Sequence, residues 1–140
     1  MLRLLVCSTC CLSILLQSCS GVTDESVAEI KNGAFKVVVR TQEMNHSGSK
    51  NVDICVANTS STDFPTDKLQ CFLNGYDFDG LSVKWQGPQK IEVSFQSGRV
   101  SHFTNAAFVY PGGSVPQEFH TVLCDACDAG SKVDLQDTHH

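Results

Sequence analysis

The sequence predicts an all-β protein, a small antiparallel β-sandwich of about seven strands with an immunoglobulin-like architecture. From residue 34 onward, apolar residues recur at every second position, which is the period of a half-buried strand. Turn-forming residues separate these runs at short intervals. A domain of about one hundred residues with a Trp in a central strand also suits this architecture. The Cys–Trp–Cys spacing of antibody domains is absent, so the likeness concerns architecture alone.

The alternating runs come first, because they define the strands. They span residues 35–40, 52–57, 69–74, 81–86, 91–96 and 119–124, and a longer, less regular stretch at 99–110 completes the predicted seven strands. Turn residues separate them at positions 46–49, 60–67, 77–80, 87–89, 97–98 and 111–113. Ser97-Gly98, between two runs, predicts a tight hairpin. Asp77-Phe78-Asp79-Gly80 lacks the third ligand position of a calcium loop and predicts a turn.

The stretch before these runs leaves three alternatives open. Residues 20–33 are polar with scattered Val and Ile, which is typical of a tether. Asn32-Gly33 is a strong hairpin signal, so Val27 to Lys31 is also a candidate strand. A single helical turn after Asp24 is the third alternative.

The N-terminus has the pattern of an export signal. Arg3 is the only charge before Asp24, and residues 4–16 are apolar or small. This run is too short to span a bilayer, which needs roughly 20 apolar residues. The alternative is a buried N-terminal core helix, for which the rest of the chain offers no helical partner.

The end of this segment, Leu16-Gln17-Ser18-Cys19, resembles the lipobox of bacterial lipoproteins. Leu16, Ser18 and Cys19 match that pattern, whereas Gln17 departs from the usual small residue. The resemblance implies that Cys19 becomes the first mature residue and carries a diacylglycerol. It also implies a lasting membrane attachment, because more than one lipid chain is needed for stable anchoring. Ser20, which is not Asp, implies sorting to the outer membrane, facing the periplasm or the cell surface.

Ordinary cleavage after Ser18-Cys19-Ser20 is the alternative. It also satisfies the small-x-small rule and yields a soluble secreted domain that starts at Gly21. Asn45-His46-Ser47 and Asn58-Thr59-Ser60 are glycosylation sequons, which matter only in a eukaryotic host.

The predicted organisation is a signal peptide at 1–18, a lipid-anchored tether at 19–33, a β-sandwich at 34–127 and a flexible tail at 128–140. The whole chain has a net charge of −5, and no basic cluster suggests a nucleic-acid partner. No second apolar run is long enough to cross a membrane. We therefore expect a monomer that contacts the membrane through its lipid. We expect it to bind no nucleic acid.

The cysteines support export. Of eight, Cys7, Cys10 and Cys11 lie in the signal segment and Cys19 is the lipidation candidate. The four that remain are disulfide candidates, since an even number in an exported chain favours disulfides: Cys55, Cys71, Cys124 and Cys127. The preferred pairing is Cys55–Cys71 with Cys124–Cys127. The rival is a bridge from Cys55 or Cys71 to Cys124.

The Cys124-x-x-Cys127 pair has two functional alternatives to a local disulfide. A redox motif is usually placed at a helix N-terminus, whereas this one follows a strand and lies beside two Asp residues that disfavour a thiolate. A metal site would add His139 and His140 as weak candidates, which gives a Cys₂His₂ set suited to zinc or copper. No metal or other cofactor is expected.

Two loops are candidates for recognition. Phe64 and Pro65 form one of them, with the alternative that Phe64 tucks under its own loop. Residues 111–116 form the second. His102 and His120 fall on strands that can pair, which offers a weak catalytic or metal candidate.

These observations predict a non-enzymatic, lipid-anchored envelope protein that binds a protein or an envelope component. Immunity, inhibitor and accessory lipoproteins belong to this class. The alternative is a periplasmic thiol-redox or metal-binding protein that uses Cys124 and Cys127. No catalytic residue is expected.

Overall fold

The structure, a computed structural model, describes residues 22–44, 47–112 and 115–125. These residues form nine strands: β1 Val22–Asn32, β2 Phe35–Met44, β3 Ser49–Asn58, β4 Cys71–Asp79, β5 Ser82–Trp85, β6 Lys90–Phe95, β7 Ser97–Phe103, β8 Ala106–Val109 and β9 Gln117–Asp125. Within the described ranges, no helix has the length and apolar character required to cross a membrane.

The strands form two packed sheets, so the predicted β-sandwich is confirmed. Sheet A has the order β1-β2-β3-β4-β7, and sheet B has the order β5-β6-β9-β8. All pairs are antiparallel except β6 and β9, which are parallel. A parallel pair was not expected, because alternation along a strand does not report which strand lies beside it.

The strand count exceeds the expected seven for two reasons. Val22–Asn32 is a strand, and the irregular stretch 99–110 divides into β7 and β8. The chain passes from sheet A to sheet B between these two strands. The corner is held by bonds from Thr104 N to Phe72 O and from Thr121 N to Asn105 O, each 2.9 Å.

Strand β1 resolves the three alternatives for residues 22–33 in favour of a strand. It pairs with β2 along its length, and the register places Asn32 opposite Phe35. Gly33 and Ala34 form the turn between them, with Gly33 at φ +61°, a conformation that favours glycine. Residues 22–32 are therefore part of sheet A, ahead of the alternating runs that start at residue 35.

The predicted hairpin at Ser97-Gly98 is wrong. β6 and β7 belong to different sheets, so Gln96 is a crossing point and not part of a turn between paired strands. Gly98 is needed for another reason: the Phe78 ring occupies the space that the Cβ of any other residue at position 98 would require. The same ring would be 2.6 Å from a Cβ at Gly75. Phe78 thus occupies space that two glycines on neighbouring strands leave open.

The predicted turn at 77–80 is also placed differently. Asp77–Asp79 closes β4, and Gly80, at φ +64°, begins the passage to β5 in sheet B. The Asp77 carboxylate accepts hydrogen bonds from Ser49 Oγ and Lys50 N, each at 3.0 Å. It therefore stabilises the start of β3 and needs no cation for that role.

The core lies between the inner faces of the two sheets, and aromatic rings organise it. Phe119 of β9 is fully buried and meets Phe35 edge-on, with ring centroids 4.9 Å apart. Trp85 meets the same ring at 5.8 Å. Burying one such side chain contributes about 1.5–3 kcal/mol, so the residues from β2, β5 and β9 tie both sheets together.

Candidate functional site

The outer face of sheet A carries one continuous row of side-chain positions that crosses every strand. Val27 of β1 lies opposite Arg40 of β2, and Arg40 lies opposite Asp53 of β3. Asp53 in turn lies opposite Asn74 of β4, which lies opposite His102 of β7. Four of the five members are polar. Such a row on one face of a sheet places their side chains within contact distance of one another.

Asp53 is the centre of this row, because both of its carboxylate oxygens accept hydrogen bonds. Oδ2 accepts from Arg40 Nη2 at 2.7 Å and from Arg40 Nε at 3.2 Å. Oδ1 accepts from Asn74 Nδ2 at 2.6 Å. Asn74 Nδ2 also donates to Asn51 Oδ1 at 3.3 Å. The negative charge of Asp53 is therefore compensated, and the amide of Asn74 is held in one orientation.

The loop of residues 59–70 folds over part of the same face. Alternation places Val38, Cys55 and Ala57 on this outer face, yet all three are buried. The loop returns to β4 at Cys71, which lies opposite Cys55 in the register and forms a disulfide with it. The predicted Cys55–Cys71 bridge is therefore present. It attaches the end of the loop to the sheet below it.

Lys36 fastens the beginning of this loop. Its ammonium donates to Ser61 O at 2.7 Å and to Glu29 Oε1 at 2.5 Å, and its side chain is only 5% exposed. The hydrogen bond from Lys36 lowers the pKa of the Glu29 carboxyl. Partial burial opposes this lowering, and the positive charges of Lys36 and Lys31 add to it. Lys36 of β2 thus joins Glu29 of β1 and the first part of the loop.

The two predicted recognition residues of this loop face the sheet. The Phe64 ring lies 4.0 Å from the Arg40 guanidinium carbon, a cation–π contact. Pro65 is buried. Phe64 therefore holds Arg40 in place from above while Asp53 holds it from the side, and neither Phe64 nor Pro65 projects from the surface.

A cleft of about 500 Å³ opens between the end of this loop and strand β7. We call it the β4–β7 cleft. Its walls are formed by Asp53, Lys68, Cys71, Leu73, Asn74, His102 and Thr104. This volume is within the range of ligand pockets, about 300–1,000 Å³. The polar row, the disulfide and the loop meet at this cleft.

Lys68 is presented to the cleft by a turn. Asp67 Oδ1 accepts a hydrogen bond from Leu69 N at 2.9 Å, and Asp67 O accepts one from Gln70 N at 3.0 Å. Asp at the first position of a turn commonly does this. The disulfide at Cys71 follows directly, so the backbone that carries Lys68 is held on both sides.

A second depression of about 460 Å³ lies at the opposite edge of the sandwich. It is lined by Lys31, Asn32, Trp85, Gly87 and Pro88. Trp85 Nε1 donates to Ile30 O at 2.9 Å, and Asn32 Nδ2 donates to Gly87 O at 3.1 Å. These bonds join the edge strands of the two sheets, which gives this depression a structural role.

The two histidines singled out in the sequence are not brought together. His102 lies on β7 in sheet A, whereas His120 lies on β9 in sheet B. The strands that carry them therefore do not pair with each other, and the sheet pairing that would have made them neighbours is not formed. Only His102 belongs to the cleft.

The sequence-predicted cysteine motif is described only in part. Cys124, on β9, is 2% exposed and disulfide-bonded, so the rival bridges from Cys55 or Cys71 to Cys124 are wrong. Cys19, Cys127, His139 and His140 lie outside the described residues. Across residues 22–44, 47–112 and 115–125, His, Cys, Asp and Glu form no group of three or more suited to a metal.

The second predicted loop is also partly described. Pro111, Val115 and Pro116 are exposed, and Val115 is 75% exposed. Residues 113–114 lie outside the described ranges.

The sequence pattern did not single out Arg40, Asp53, Lys68 or Asn74. The available signal was their position: each of the three strand residues occupies a polar position in an alternating run. That pattern indicates an outer face, but it does not show which polar residues become neighbours.

No protein-family model matches this chain, and neither a curated protein nor a solved structure is similar to it.

Proposed function

We propose that this protein is exported and lipid-anchored in the cell envelope, where it binds a protein or another envelope component without catalysing a reaction. The binding surface is the outer face of sheet A at the β4–β7 cleft. The lipid on Cys19 places the domain at the outer membrane, facing the periplasm or the cell surface. The protein acts as a monomer, in the manner of an immunity, inhibitor or accessory lipoprotein.

The observation that carries this proposal is the ordered polar row that ends at the cleft. Arg40, Asp53 and Asn74 hold one another in place through hydrogen bonds of 2.6–3.2 Å. A rigid polar surface binds with less loss of conformational entropy than a mobile one. The ordering of these residues therefore favours recognition of a partner over a purely solvated surface.

The export part of the proposal is supported by the chemistry of the cysteines. Cys55 and Cys71 form a disulfide, which persists in oxidising compartments such as the periplasm. The N-terminal segment resembles a lipoprotein signal on residues that are independent of this pair. Two separate features thus support the same compartment.

Intact-mass analysis of the membrane fraction tests lipidation. We expect the wild-type protein to begin at Cys19 with the mass of its acyl chains, and the Cys19→Ser variant to lack that mass. If the wild-type protein instead starts at Gly21 and carries no lipid, it is secreted in soluble form and the lipid anchor is contradicted.

A capture experiment tests the binding surface. The chain from residue 19 onward, with Cys19→Ser, is immobilised and exposed to solubilised envelope. We expect one component to be retained by this protein and lost from an Arg99→Glu/His102→Glu variant at the end of sheet A. Lys90→Glu/His120→Glu is the matched control, since it makes the same kind of change on sheet B.

The control decides whether a captured component is specific to this face. A component that both double variants retain does not use the changed end of sheet A. A component that both lose is not specific to that face. Either result contradicts the proposal. A captured component counts as a partner only if it forms a stoichiometric complex with this protein in size-exclusion chromatography.

A further inference from the structure

We infer that the β4–β7 cleft receives an acidic side chain, Asp or Glu, from a protein partner, with Lys68 and His102 as the groups that bind its carboxylate. This inference rests on the proposed binding function and specifies its partner as a protein with an exposed acidic residue.

The charge within the cleft favours an anion. Asp53 is the acidic residue in its lining, and Arg40 and Asn74 already compensate its carboxylate. Lys68 and His102 are exposed and have no ion-pair partner among the described residues. The uncompensated charge of the lining is that of Lys68, which is opposite in sign to the net charge of −5 of the whole chain. A local positive site on an acidic protein selects an acidic group by position and not by general attraction.

The backbone of each cleft residue is held before a ligand arrives. Lys68 is carried by the Asp67 turn next to the disulfide. His102 is paired in register with Asn74. Thr104 N donates to Phe72 O at 2.9 Å, and its hydroxyl donates to Ala106 O at 2.8 Å. Binding therefore requires ordering of the Lys68 and His102 side chains alone, which keeps its entropic cost small.

The donor set suits a carboxylate better than a phosphate. Phosphate recognition usually employs an arginine fork or a cradle of backbone amides. Arg40 is engaged by Asp53 and Phe64, and Arg99 lies over the Tyr76 ring at 5.7 Å. Lys68 supplies a single full positive charge, which compensates a monoanion more completely than a dianion. A single carboxylate, bound by one ammonium and one imidazole, meets both conditions.

A nuclear magnetic resonance titration with small probes tests this inference before the partner is identified. The ¹⁵N-labelled chain from residue 19 onward, with Cys19→Ser, is titrated with N-acetyl-glutamate N-methylamide. The neutral glutamine analogue and the phosphoserine analogue are the comparison probes. We expect the glutamate probe to shift amides at residues 67–74 and 102–104, and the glutamine probe to leave them unchanged.

Variants then assign the binding groups. Lys68→Ala and His102→Ala each remove one partner, and we expect each to weaken binding of the glutamate probe about fivefold, as for an exposed ion pair at Lys68 and a single hydrogen bond at His102. Lys90→Ala and His120→Ala are the matched controls on sheet B and should leave the affinity unchanged. All four changed residues are exposed, so the variants are expected to remain folded. Their amide spectra check this.

The outcomes separate this inference from the proposed function. Equal shifts with the glutamate and glutamine probes, or no shifts around the cleft, overturn the inference, and tighter binding of the phosphoserine probe replaces it with a phosphate site. If the capture experiment yields a specific partner but the probe does not bind the cleft, the binding function stands and the acidic anchor fails. If the probe binds the cleft and no envelope component is captured, the proposed function fails and the chemistry of the cleft stands.

Discussion

Arg40 lies directly opposite Asp53 across strands β2 and β3, and two of its guanidinium N–H groups donate to the same carboxylate oxygen, Asp53 Oδ2. The pair is largely withdrawn from water, with side chains 26% and 16% exposed. Phe64 covers the guanidinium from the loop above. This contact therefore connects the sheet, the 59–70 loop and, through Asn74, the β4–β7 cleft.

Replacing Asp53 by Asn is expected to destabilise the protein by about 2 kcal/mol, in the range of hydrogen bonds to charged groups. The change removes the charge that compensates Arg40 and places a second amide against that of Asn74. A urea denaturation curve measures the difference in unfolding free energy. The cleft should also become less ordered, which faster exchange of the Asn74 side-chain amide would show.

Two controls accompany this variant. Asp63→Asn changes an exposed carboxylate of the same loop and should alter stability by less than about 0.5 kcal/mol. Arg40→Lys keeps the positive charge but loses the planar guanidinium, so its unfolding free energy should lie between those of the Asp53→Asn variant and the wild type. Equal stability of the Asp53→Asn variant and the wild type would show that the pair contributes nothing.

Removing the disulfide with Cys55→Ala/Cys71→Ala is expected to cost about 3 kcal/mol in the chain-entropy account, since the two residues are 16 apart. The loop should also detach more often from the sheet. Lys68 lies in that loop and is exposed, so trypsin should cleave after it faster in the variant. Mass spectrometry of the digest identifies the cut.

The loss of stability and the cleavage must change together for this interpretation. A variant that unfolds at a lower urea concentration but shows wild-type cleavage after Lys68 would mean that the bridge stabilises the sandwich without fixing the loop. The same digest of wild-type protein after reduction provides an independent comparison.

Local patterns were sufficient for several parts of this fold. Alternation identified six of the strands, because each has one face in the core and one outside, whereas the irregular stretch 99–110 was expected as one strand and forms two. The turn chemistry of Asn32-Gly33 offered the first hairpin as one of three alternatives, and Cys55–Cys71 was the preferred bridge because the two runs that contain these residues are neighbours in the chain. Each of these features depends on residues that lie close together in the sequence.

The candidate site could not be predicted in this way. The row from Arg40 to His102 requires the pairing of β4 with β7, which are separated in the chain by two strands of the other sheet. It also depends on a register shift between Ile54 and Cys55 and another between Asn74 and Gly75. One residue of slip moves every later side chain to the opposite face. The period of a strand does not contain this information.

The ion pair between Glu29 and Lys36 predicts a contribution to stability that depends on pH. The hydrogen bond lowers the pKa of Glu29 below its ordinary value of 4.5 in the folded state. The unfolded chain therefore binds a proton first as the pH falls, and the stabilisation is present above pH 4.5 and lost as the pH falls through the lowered pKa. Urea denaturation across this range should show a stability difference between wild type and Glu29→Gln that shrinks toward acid pH.

Lys36→Met supplies the control for this pH dependence. In that background the partner of Glu29 is absent, so Glu29→Gln should no longer change the pH profile. If the pH profiles of wild type and Glu29→Gln are parallel throughout, the pair does not couple protonation to folding.

Trp85 joins the edge strands β5 and β1 and so closes one edge of the sandwich. It is the only Trp in the chain, and its indole donates to Ile30 O, an edge-strand carbonyl of β1. Trp85→Phe keeps an aromatic ring against Phe119 but removes the donor, so we expect a loss of about 1 kcal/mol from the hydrogen bond. Hydrogen exchange should quicken at residues 29–32 of β1 and remain unchanged in the central strand β3.

Asn32→Ala, which removes the neighbouring bond to Gly87 O, should have the same regional effect. Uniformly faster exchange in both strands would instead indicate that Trp85 acts through the core, because a broken edge contact opens β1 locally while a damaged core lowers the stability of the whole sandwich.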